Sequence, residues 1–552
     1  MTTRTVYHIG LDGVPPHLLE EAITRGYTPE LADIRAEGAS GTTKTVAPPL
    51  SMAAWCSFST GRDPGAHGIY NFILREEGSY KTRFANGDIL HANSIPIWDY
   101  LDSNGISTGI MNLMAGYPPS ESSGFHIGDI VTSPPDGSFI YPNILAEEIE
   151  EKVTSYELDQ YTPYTPDKTE RQLQKYLDGL FRMDEERTNI GKYLIEQTEN
   201  SVYSYVFSAP DSIQHCLAHI RDESHPEHEP GLVETYADKP LELLTIYDEF
   251  LGWLRSYMDD EDVLIVLSDH GHSPVHGQIN LNSWLYNNGY LSLESTSLTK
   301  LKLFGYNHLF NTFEAILHRL DLFGTVKEAV AKAEGDDEDG DKSDNYGLKD
   351  LLTISRMDYD WNETVAYTIA SGGQIYLNTS NDHPAGWITA ENYDDIREAL
   401  RKDLLNIRDP KTGDEVIENV YFGEEVYSDE YKNTRPDLIA LPVDEYQIQY
   451  PQTMKTKEVF GSAPKPGSHS SEHDRTGIFL ALGGGANGQD VKMDITDYAP
   501  TTLGLLNQPV PAPMTGSIRD DVFDVDATVS EYDGRVAAKR SVRQVTKTVK
   551  NS

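Results

Sequence analysis

Two pairs of aspartate and histidine residues have the spacing of metal ligands. Asp211 and His215 are four positions apart, so a helix starting just before them would place both side chains on one face. Asp269 and His270 are adjacent on the segment that follows an apolar run, where neighbouring side chains can turn towards the same side. Each pair alone also fits a purely structural role, since aspartate and histidine at these spacings cap helices or make surface contacts.

Asp12 and His473 complete a candidate ligand set. Asp12 follows the first apolar run, where it could be only a turn residue, and His473 comes shortly before another apolar run. Three aspartates and three histidines make two groups of three, the number of protein ligands in a catalytic zinc site. Two such ions about 4 Å apart can clamp the attacking and leaving oxygens of a phosphoryl displacement. Carboxylate and imidazole without thiolate favour zinc, manganese or iron over calcium. The candidate metal ligands are Asp12, Asp211, His215, Asp269, His270 and His473.

Ser51 is the candidate nucleophile. It follows Pro48-Pro49-Leu50 and precedes an apolar stretch, which predicts a helix beginning at Ser51. The unpaired amides at such a helix end attract a phosphate group. Ser51 could instead be a plain helix cap, as serines in this context often are. A cap position does not exclude nucleophilic catalysis, because metal coordination can activate the hydroxyl.

The apolar runs that precede these residues predict the strands of a mainly parallel sheet. They cover residues 6–11, 201–208 and 263–267, and each is followed by an aspartate. Helical patterns lie between them, at 16–37, 170–199 and 238–258. Strands that alternate with helices indicate a parallel sheet sandwiched between helices, and such sheets bind ligands beyond the carboxyl ends of their strands.

The rest of the chain predicts insertions into this α/β core. A helical piece near 308–334 and an acidic run at 335–341 indicate an inserted helical region, and 380–445 alternates like a small α+β cap subdomain. The last segment is basic and without a packing pattern, so we expect a flexible tail. The predicted organisation is a core of 1–285 and 446–525, an insertion and return to the core over 286–379, a cap over 380–445 and a tail over 526–552.

The charge of the chain indicates that the protein works at high salt concentration. With 45 Lys plus Arg and 88 Asp plus Glu, the formal net charge is −43. The negative side chains repel one another, and this repulsion is screened when about 1 M salt shortens the Debye length to roughly 3 Å. The same charge argues against nucleic acid or an anionic membrane as a partner. Two cysteines and the lack of an export signal or a long apolar segment predict a soluble protein of the cytoplasm.

The motifs in their order resemble the alkaline phosphatase superfamily, most closely its type I phosphodiesterase/nucleotide pyrophosphatase branch, over residues 6 to about 510. The resemblance implies an alkaline phosphatase-like fold, two divalent metal ions, with zinc first and manganese or iron as alternatives, and a small phosphate ester as substrate. It implies that Asp211, His215 and His473 hold one ion, that Asp12, Asp269 and His270 hold the other, and that Ser51 forms a phospho-enzyme. The motifs that carry it are Asp12-Gly13, Pro48-Pro49-Leu50-Ser51, Thr60-Gly61, Pro64-Gly65-Ala66-His67-Gly68, Asp211 with His215, Asp269-His270-Gly271 and His473 with Gly477.

Four details leave alternatives open. The branch places an oxyanion-contacting asparagine where this chain has Phe72, with Asn71 one position earlier, so Asn71 is only a possible substrate contact. His272 could contact substrate or support a ligand. His469 competes with His473 as the last ligand, and we prefer His473 because the strand after Gly477 gives it the spacing of the family. A phosphomutase or phosphotransferase, or a non-catalytic phosphate-binding relic, is the alternative to a phosphohydrolase.

Overall fold

The structure is a computed structural model, and it describes residues 4–129, 131–133, 138–153, 169–296, 299, 354–448, 458–525 and 529–530. The predicted helical piece near 308–334, the acidic run and nearly all of the basic tail lie outside these residues.

Most strands of the described chain are short, and the longest belong to one large sheet. The strands are β1 (Val6–Leu11), β2 (Ala39–Lys44), β3 (Ile73–Arg75), β4 (Thr82–Phe84), β5 (Thr108–Met111), β6 (Phe125–Ile127), β7 (Ile140–Tyr141), β8 (Val202–Phe207), β9 (Val263–Leu267), β10 (Ser273–Pro274), β11 (Gly277–Ile279), β12 (Ala366–Thr368), β13 (Gln374–Leu377), β14 (Ile417–Phe422), β15 (Leu438–Pro442), β16 (Tyr446–Ile448), β17 (Phe460–Gly461), β18 (Gly467–Ser468), β19 (Thr476–Leu482), β20 (Gly488–Asp494), β21 (Val510–Pro511) and β22 (Val529–Ser530).

Helices lie on both faces of the large sheet. The helices of the described chain are α1 (Pro16–Thr24), α2 (Pro29–Glu37), α3 (Ser51–Thr60), α4 (Pro64–His67), α5 (Gly87–Asn93), α6 (Ile97–Ser103), α7 (Ile144–Lys152), α8 (Glu170–Gln197), α9 (Ala209–Arg221), α10 (Val233–Tyr236), α11 (Lys239–Tyr257), α12 (Leu281–Asn287), α13 (Tyr393–Leu405), α14 (Gly423–Val426) and α15 (Tyr498–Leu505), with 3₁₀ turns at Pro230–Leu232, Arg356–Asp358, His473–Arg475 and Ile495–Asp497. The predicted helix over 16–37 is two helices, because the chain turns at Gly26, which has a φ of 78°.

The central sheet has nine strands in the order β20-β2-β19-β9-β1-β8-β5-β6-β7. β9, β1, β8, β5 and β6 run parallel to one another, whereas β19 and β7 are antiparallel to their neighbours. Every residue of β1, β8 and β9 is buried, which agrees with their continuous apolar sequences. One hydrophobic core, which includes α8 and α11, packs on one face of the sheet, and a second, which includes α3 and α15, packs on the other. The predicted α/β sandwich is confirmed.

A second sheet of four strands lies in the later part of the chain, in the order β12-β13-β15-β14, with α13 packed on β14 and β15. Its strand pairs are antiparallel. This small α+β sheet starts at Ala366, so the strands that the sequence placed in the return to the core pair inside the smaller sheet instead. Among the described residues, the helices are too short or too polar to cross a membrane.

Candidate active site

Three neighbouring strands end at the predicted aspartates. Asp12 follows β1 directly, Asp211 is the third residue of α9 after β8, and Asp269 lies two residues past β9. β1 lies between β8 and β9 and runs parallel to both, so the carboxyl ends of all three strands meet at one edge. This edge is where sheets of this kind bind ligands.

Gly13 allows the chain to approach α9 closely at this edge. Its φ is 69°, in the left-handed region, and a Cβ at this position would lie 2.9 Å from the Cβ and Oδ1 atoms of Asp211. The Gly13 amide donates to Asp269 Oδ1 over 3.2 Å. A glycine is therefore required for Asp12, Asp211 and Asp269 to come together.

Asp12, Asp269 and His270 form the first donor set, with one ligand atom from each lying within 4.8 Å of the others. His270 Nε2 lies 3.6 Å from Asp12 Oδ1 and 3.3 Å from Asp269 Oδ2. Ser51 Oγ lies 2.9 Å from the same His270 nitrogen and 3.5 Å from Asp12 Oδ1. The serine hydroxyl is therefore part of this set.

Asp211 belongs to two further groups of possible ligands, one with His270 and His469 and the other with His215 and His272. We call Asp211, His215 and His469, which all meet at the Asp211 carboxylate, the second donor set. His215 Nε2 lies 3.3 Å from Asp211 Oδ2, and His469 Nε2 lies 3.8 Å from Asp211 Oδ1. The His469 ring also stacks on the His270 ring with centroids 3.9 Å apart, so the two sets are contiguous.

The ring orientation of these three histidines is fixed by the backbone. The Nδ1 atoms of His270, His215 and His469 lie 2.8, 2.6 and 2.6 Å from carbonyl oxygens, of Gly271, Gly467 and Pro49 respectively. A carbonyl can only accept, so each Nδ1 donates a proton to it, and Nε2 is the ring nitrogen that faces the aspartates and can bind a cation when it is unprotonated. Metal-binding histidines usually have this arrangement.

The structure does not bring His473 to the cluster, which corrects the preference for it over His469. The His473 side chain is 64 % exposed, and its Nδ1 faces Asp444 over 3.8 Å. The buried Asp474 carboxylate accepts hydrogen bonds from the amides of Ser470 and Ser471 and closes a tight turn between the two histidines. His473 falls on the outer side of this turn. The sequence signal for His469 was the Pro466-Gly467 break just before it.

The charge of the cluster calls for a cation. Burial and the neighbouring carboxyls of Asp269 and Asp211 raise the pKa of Asp12 well above its usual value, and burial raises the pKa of Asp269 as well. Burial acts in the same direction on Asp211, but the partner His215 outweighs it and holds the pKa of Asp211 well below its usual value. Asp211 Oδ1 and Asp269 Oδ2 are buried and have no hydrogen-bond donor among the described residues. Buried carboxylates of this kind are normally paired or coordinated, so the donor set fits divalent cations.

Ser51 is the first residue of α3, as predicted, but it is not a plain cap. Leu50 occupies the cap position, and the Ser51 hydroxyl points into the donor set. One helical turn later, the fully buried Trp55 donates from Nε1 to Asp12 Oδ2 over 3.1 Å. The tryptophan ring packs on Gly10, where a Cβ would lie 2.5 Å from it. Trp55 was not predicted from the sequence, although its four-residue distance from Ser51 indicates a shared helix face.

The Asn71 side chain makes its hydrogen bonds within the protein. Its Nδ2 donates to Ser371 O and Gln374 Oε1 over 2.8 and 2.9 Å, and its Oδ1 accepts from the Phe72 amide over 2.7 Å. The Asn71 side chain thus ties the segment after α4 to the smaller sheet, and its role as a substrate contact stays a prediction.

His272 does join the site. It is 4 % exposed, and its Nε2 lies 3.4 Å from His215 Nδ1 and 3.9 Å from Asp211 Oδ1.

Comparisons with known proteins identify a family model and solved structures that resemble this chain. A family model described as type I phosphodiesterase/nucleotide pyrophosphatase matches residues 6–471. The structure of phosphonoacetate hydrolase from Sinorhizobium meliloti 1021 in complex with phosphonoformate is 13 % identical over 91 % of this chain and 96 % of that one, with a TM-score of 0.51. Human ectonucleotide pyrophosphatase/phosphodiesterase 5 is 15 % identical over 94 % of this chain and 100 % of that one, with a TM-score of 0.48. The first likeness shows a shared fold. A comparison with curated proteins finds no match.

Proposed function

The chain belongs to the type I phosphodiesterase/nucleotide pyrophosphatase family, and from this membership we propose that it hydrolyses phosphate diesters at two divalent cations with Ser51 as the nucleophile. The observation that carries the proposal is the position of Ser51 Oγ, 2.9 Å from His270 Nε2 and inside the first donor set. A serine that served only as a helix cap would turn its oxygen to the backbone amides of its own helix.

Each of the two donor sets would hold one cation. Asp211, His215 and His469 would hold one, and Asp12, Asp269 and His270 would hold the other. Bound there, divalent cations would stabilise the deprotonated serine oxygen and neutralise charge on the phosphoryl group. Zinc suits the imidazole and carboxylate donors, with manganese or iron as alternatives.

Ser51 acts as the nucleophile in a displacement at phosphorus. Its oxygen attacks phosphorus, an O–P bond forms on the serine, and the bond from phosphorus to the leaving oxygen breaks on the opposite side. The first amides of α3, which begins at Ser51, are available to the phosphoryl oxygens. Water then attacks the phosphorus of this serine-linked phosphodiester and an O–P bond forms to the water oxygen. The O–P bond to Ser51 breaks, and a proton from the water restores the serine hydroxyl as the phosphate monoester leaves.

The working environment is one of high salt. The formal net charge of −43 disfavours the compact state unless it is screened. Cys56 and Cys216 are both buried and are not joined in a disulfide, as in proteins of a reducing compartment. Both features support the cytoplasm of a salt-accumulating cell as the site of action.

Hydrolysis of bis-p-nitrophenyl phosphate in molar KCl, compared with that of p-nitrophenyl phosphate, tests the proposal. We expect turnover of the diester to exceed that of the monoester, to stop when a chelator removes the cations and to return when zinc or manganese is added. In Ser51→Ala the rate should fall by at least about 10³-fold, while His473→Ala, on the exposed turn, keeps the wild-type rate. Absence of turnover by the protein with its cations bound would contradict the proposal.

A further inference from the structure

A two-stranded ribbon presents two histidines side by side at the active site. β10 and β18 pair antiparallel, with Ser273 opposite Ser468 and Pro274 opposite Gly467. One step further in this register, His272 stands opposite His469. The two rings lie on the same side with centroids 6.1 Å apart, as expected of a cross-strand pair.

Both members of the pair approach the same oxygen atom. His272 Nε2 lies 3.9 Å from Asp211 Oδ1, and His469 Nε2 lies 3.8 Å from it. This oxygen is buried and has no hydrogen-bond donor among the described residues. Asp211, His215 and His272 also offer three ligand atoms within 4.8 Å of one another. Two imidazoles placed symmetrically about an unpaired carboxylate oxygen are better explained if both bind the same cation than if only one of them does.

The His272 ring is held firmly in this place. A Cβ on Gly467 would lie 2.6 Å from His272 Cε1, so the ribbon backbone packs directly on the ring. On the other side, the His215 ring meets it edge to face, with centroids 4.8 Å apart. A ring enclosed in this way and 4 % exposed is suited to coordination and poorly suited to exchange with solvent.

We propose that His272 is a further ligand of the cation that Asp211, His215 and His469 hold, an inference that rests on the proposed function. This cation would then have three imidazoles and one carboxylate, whereas the other would have two carboxylates, one imidazole and the serine oxygen. Nitrogen-rich sites favour zinc and its late first-row neighbours, and oxygen-rich sites accept manganese or magnesium. The two sites therefore differ in metal preference.

Metal binding tests the assignment separately from activity. Zinc affinity is measured by competition with a chelator in molar KCl, and cobalt loading is followed by visible absorption, which responds to the number of ligands. His272→Ala and the more conservative His272→Gln should each weaken the tighter zinc site by more than about 100-fold, beyond the 10–100-fold that loss of a residue merely supporting a ligand costs. Both should also change the cobalt spectrum. His473→Ala, on the exposed turn, is the matched control and should leave both readouts unchanged.

Two other results would overturn the assignment in different ways. If His469→Ala loses the tighter site while both His272 variants bind zinc and cobalt like the wild type, His272 is not a ligand and the proposed function stands. If Asp211→Asn and His469→Ala also bind as the wild type does, the donor set itself is wrong and the proposed function falls with it.

Discussion

Replacing Trp55 by phenylalanine should loosen the cation-binding cluster without touching a ligand. The change removes the indole N–H that donates to Asp12 Oδ2 over 3.1 Å. Hydrogen bonds to charged groups contribute about 1.5–3 kcal/mol, and at about 1.4 kcal/mol per factor of ten this corresponds to roughly 10- to 150-fold. We therefore expect cation affinity of the set containing Asp12 to fall by about 10–100-fold, the usual cost of losing a supporting hydrogen bond to a ligand.

The chain offers a matched control for this variant. Trp98 is also buried, and its Nε1 also donates over 3.1 Å, but to Ser120 Oγ away from the site. Trp55→Phe and Trp98→Phe should both lower the free energy of unfolding in urea by a few kcal/mol, since each leaves a cavity and an unpaired acceptor. Only Trp55→Phe should weaken zinc binding in chelator competition. Equal loss of zinc affinity in both variants, or in neither, would refute the role given to the Trp55–Asp12 bond.

Three further perturbations follow from the packing and charge of the fold. Burial raises the pKa of the Asp437 carboxyl to about 6 from 3.8, so its contribution to stability is present below pH 4 and is lost as pH rises through 6. The free energy of unfolding in urea should therefore fall by about 3 kcal/mol between pH 4 and pH 7.5 because of Asp437, and this part of the decrease should be absent in Asp437→Asn. Gly467→Ala would place its Cβ 2.6 Å from His272 Cε1 and from Gln214 O, so we expect it to lose about 1–3 kcal/mol of stability by urea unfolding together with zinc affinity; unchanged zinc binding would contradict the packing described. Raising KCl from 0.1 to 1 M should increase the melting temperature, because the charge of −43 is then screened over about 3 Å instead of 10 Å; a melting temperature that falls would argue against a high-salt environment.

The central sheet could be predicted because its strands carry the signal in their own residues. β1, β8 and β9 are buried on both faces, so each reads as an unbroken apolar run followed by an aspartate. The start of the helix at Ser51 could be predicted as well, because proline is disfavoured inside a helix and two prolines precede Leu50. Local sequence was sufficient here because the apolar runs of the strands and the prolines before the helix lie within or next to these elements.

Tertiary contacts decided what the sequence could not. His469 and His473 differ only in which side of a tight turn they occupy, and that turn depends on the buried Asp474 carboxylate, which binds backbone amides. The place of Asn71 depends on Gln374, some three hundred residues away. The short strands β12 and β13 gave no local indication of which sheet they would join. Each of these outcomes rests on a partner that is distant in sequence, or on a turn whose direction packing sets.

Detection of phosphate on Ser51 tests the central claim most directly. The protein, loaded with zinc in molar KCl, is mixed with excess bis-p-nitrophenyl phosphate and quenched in acid during turnover, and its peptides are analysed by mass spectrometry. We predict a p-nitrophenyl phosphoryl adduct on the peptide that contains Ser51, and its absence in Ser51→Ala, which should also have lost turnover. Steady turnover by Ser51→Ala, with no adduct on the wild-type peptide, would contradict a serine nucleophile at this site.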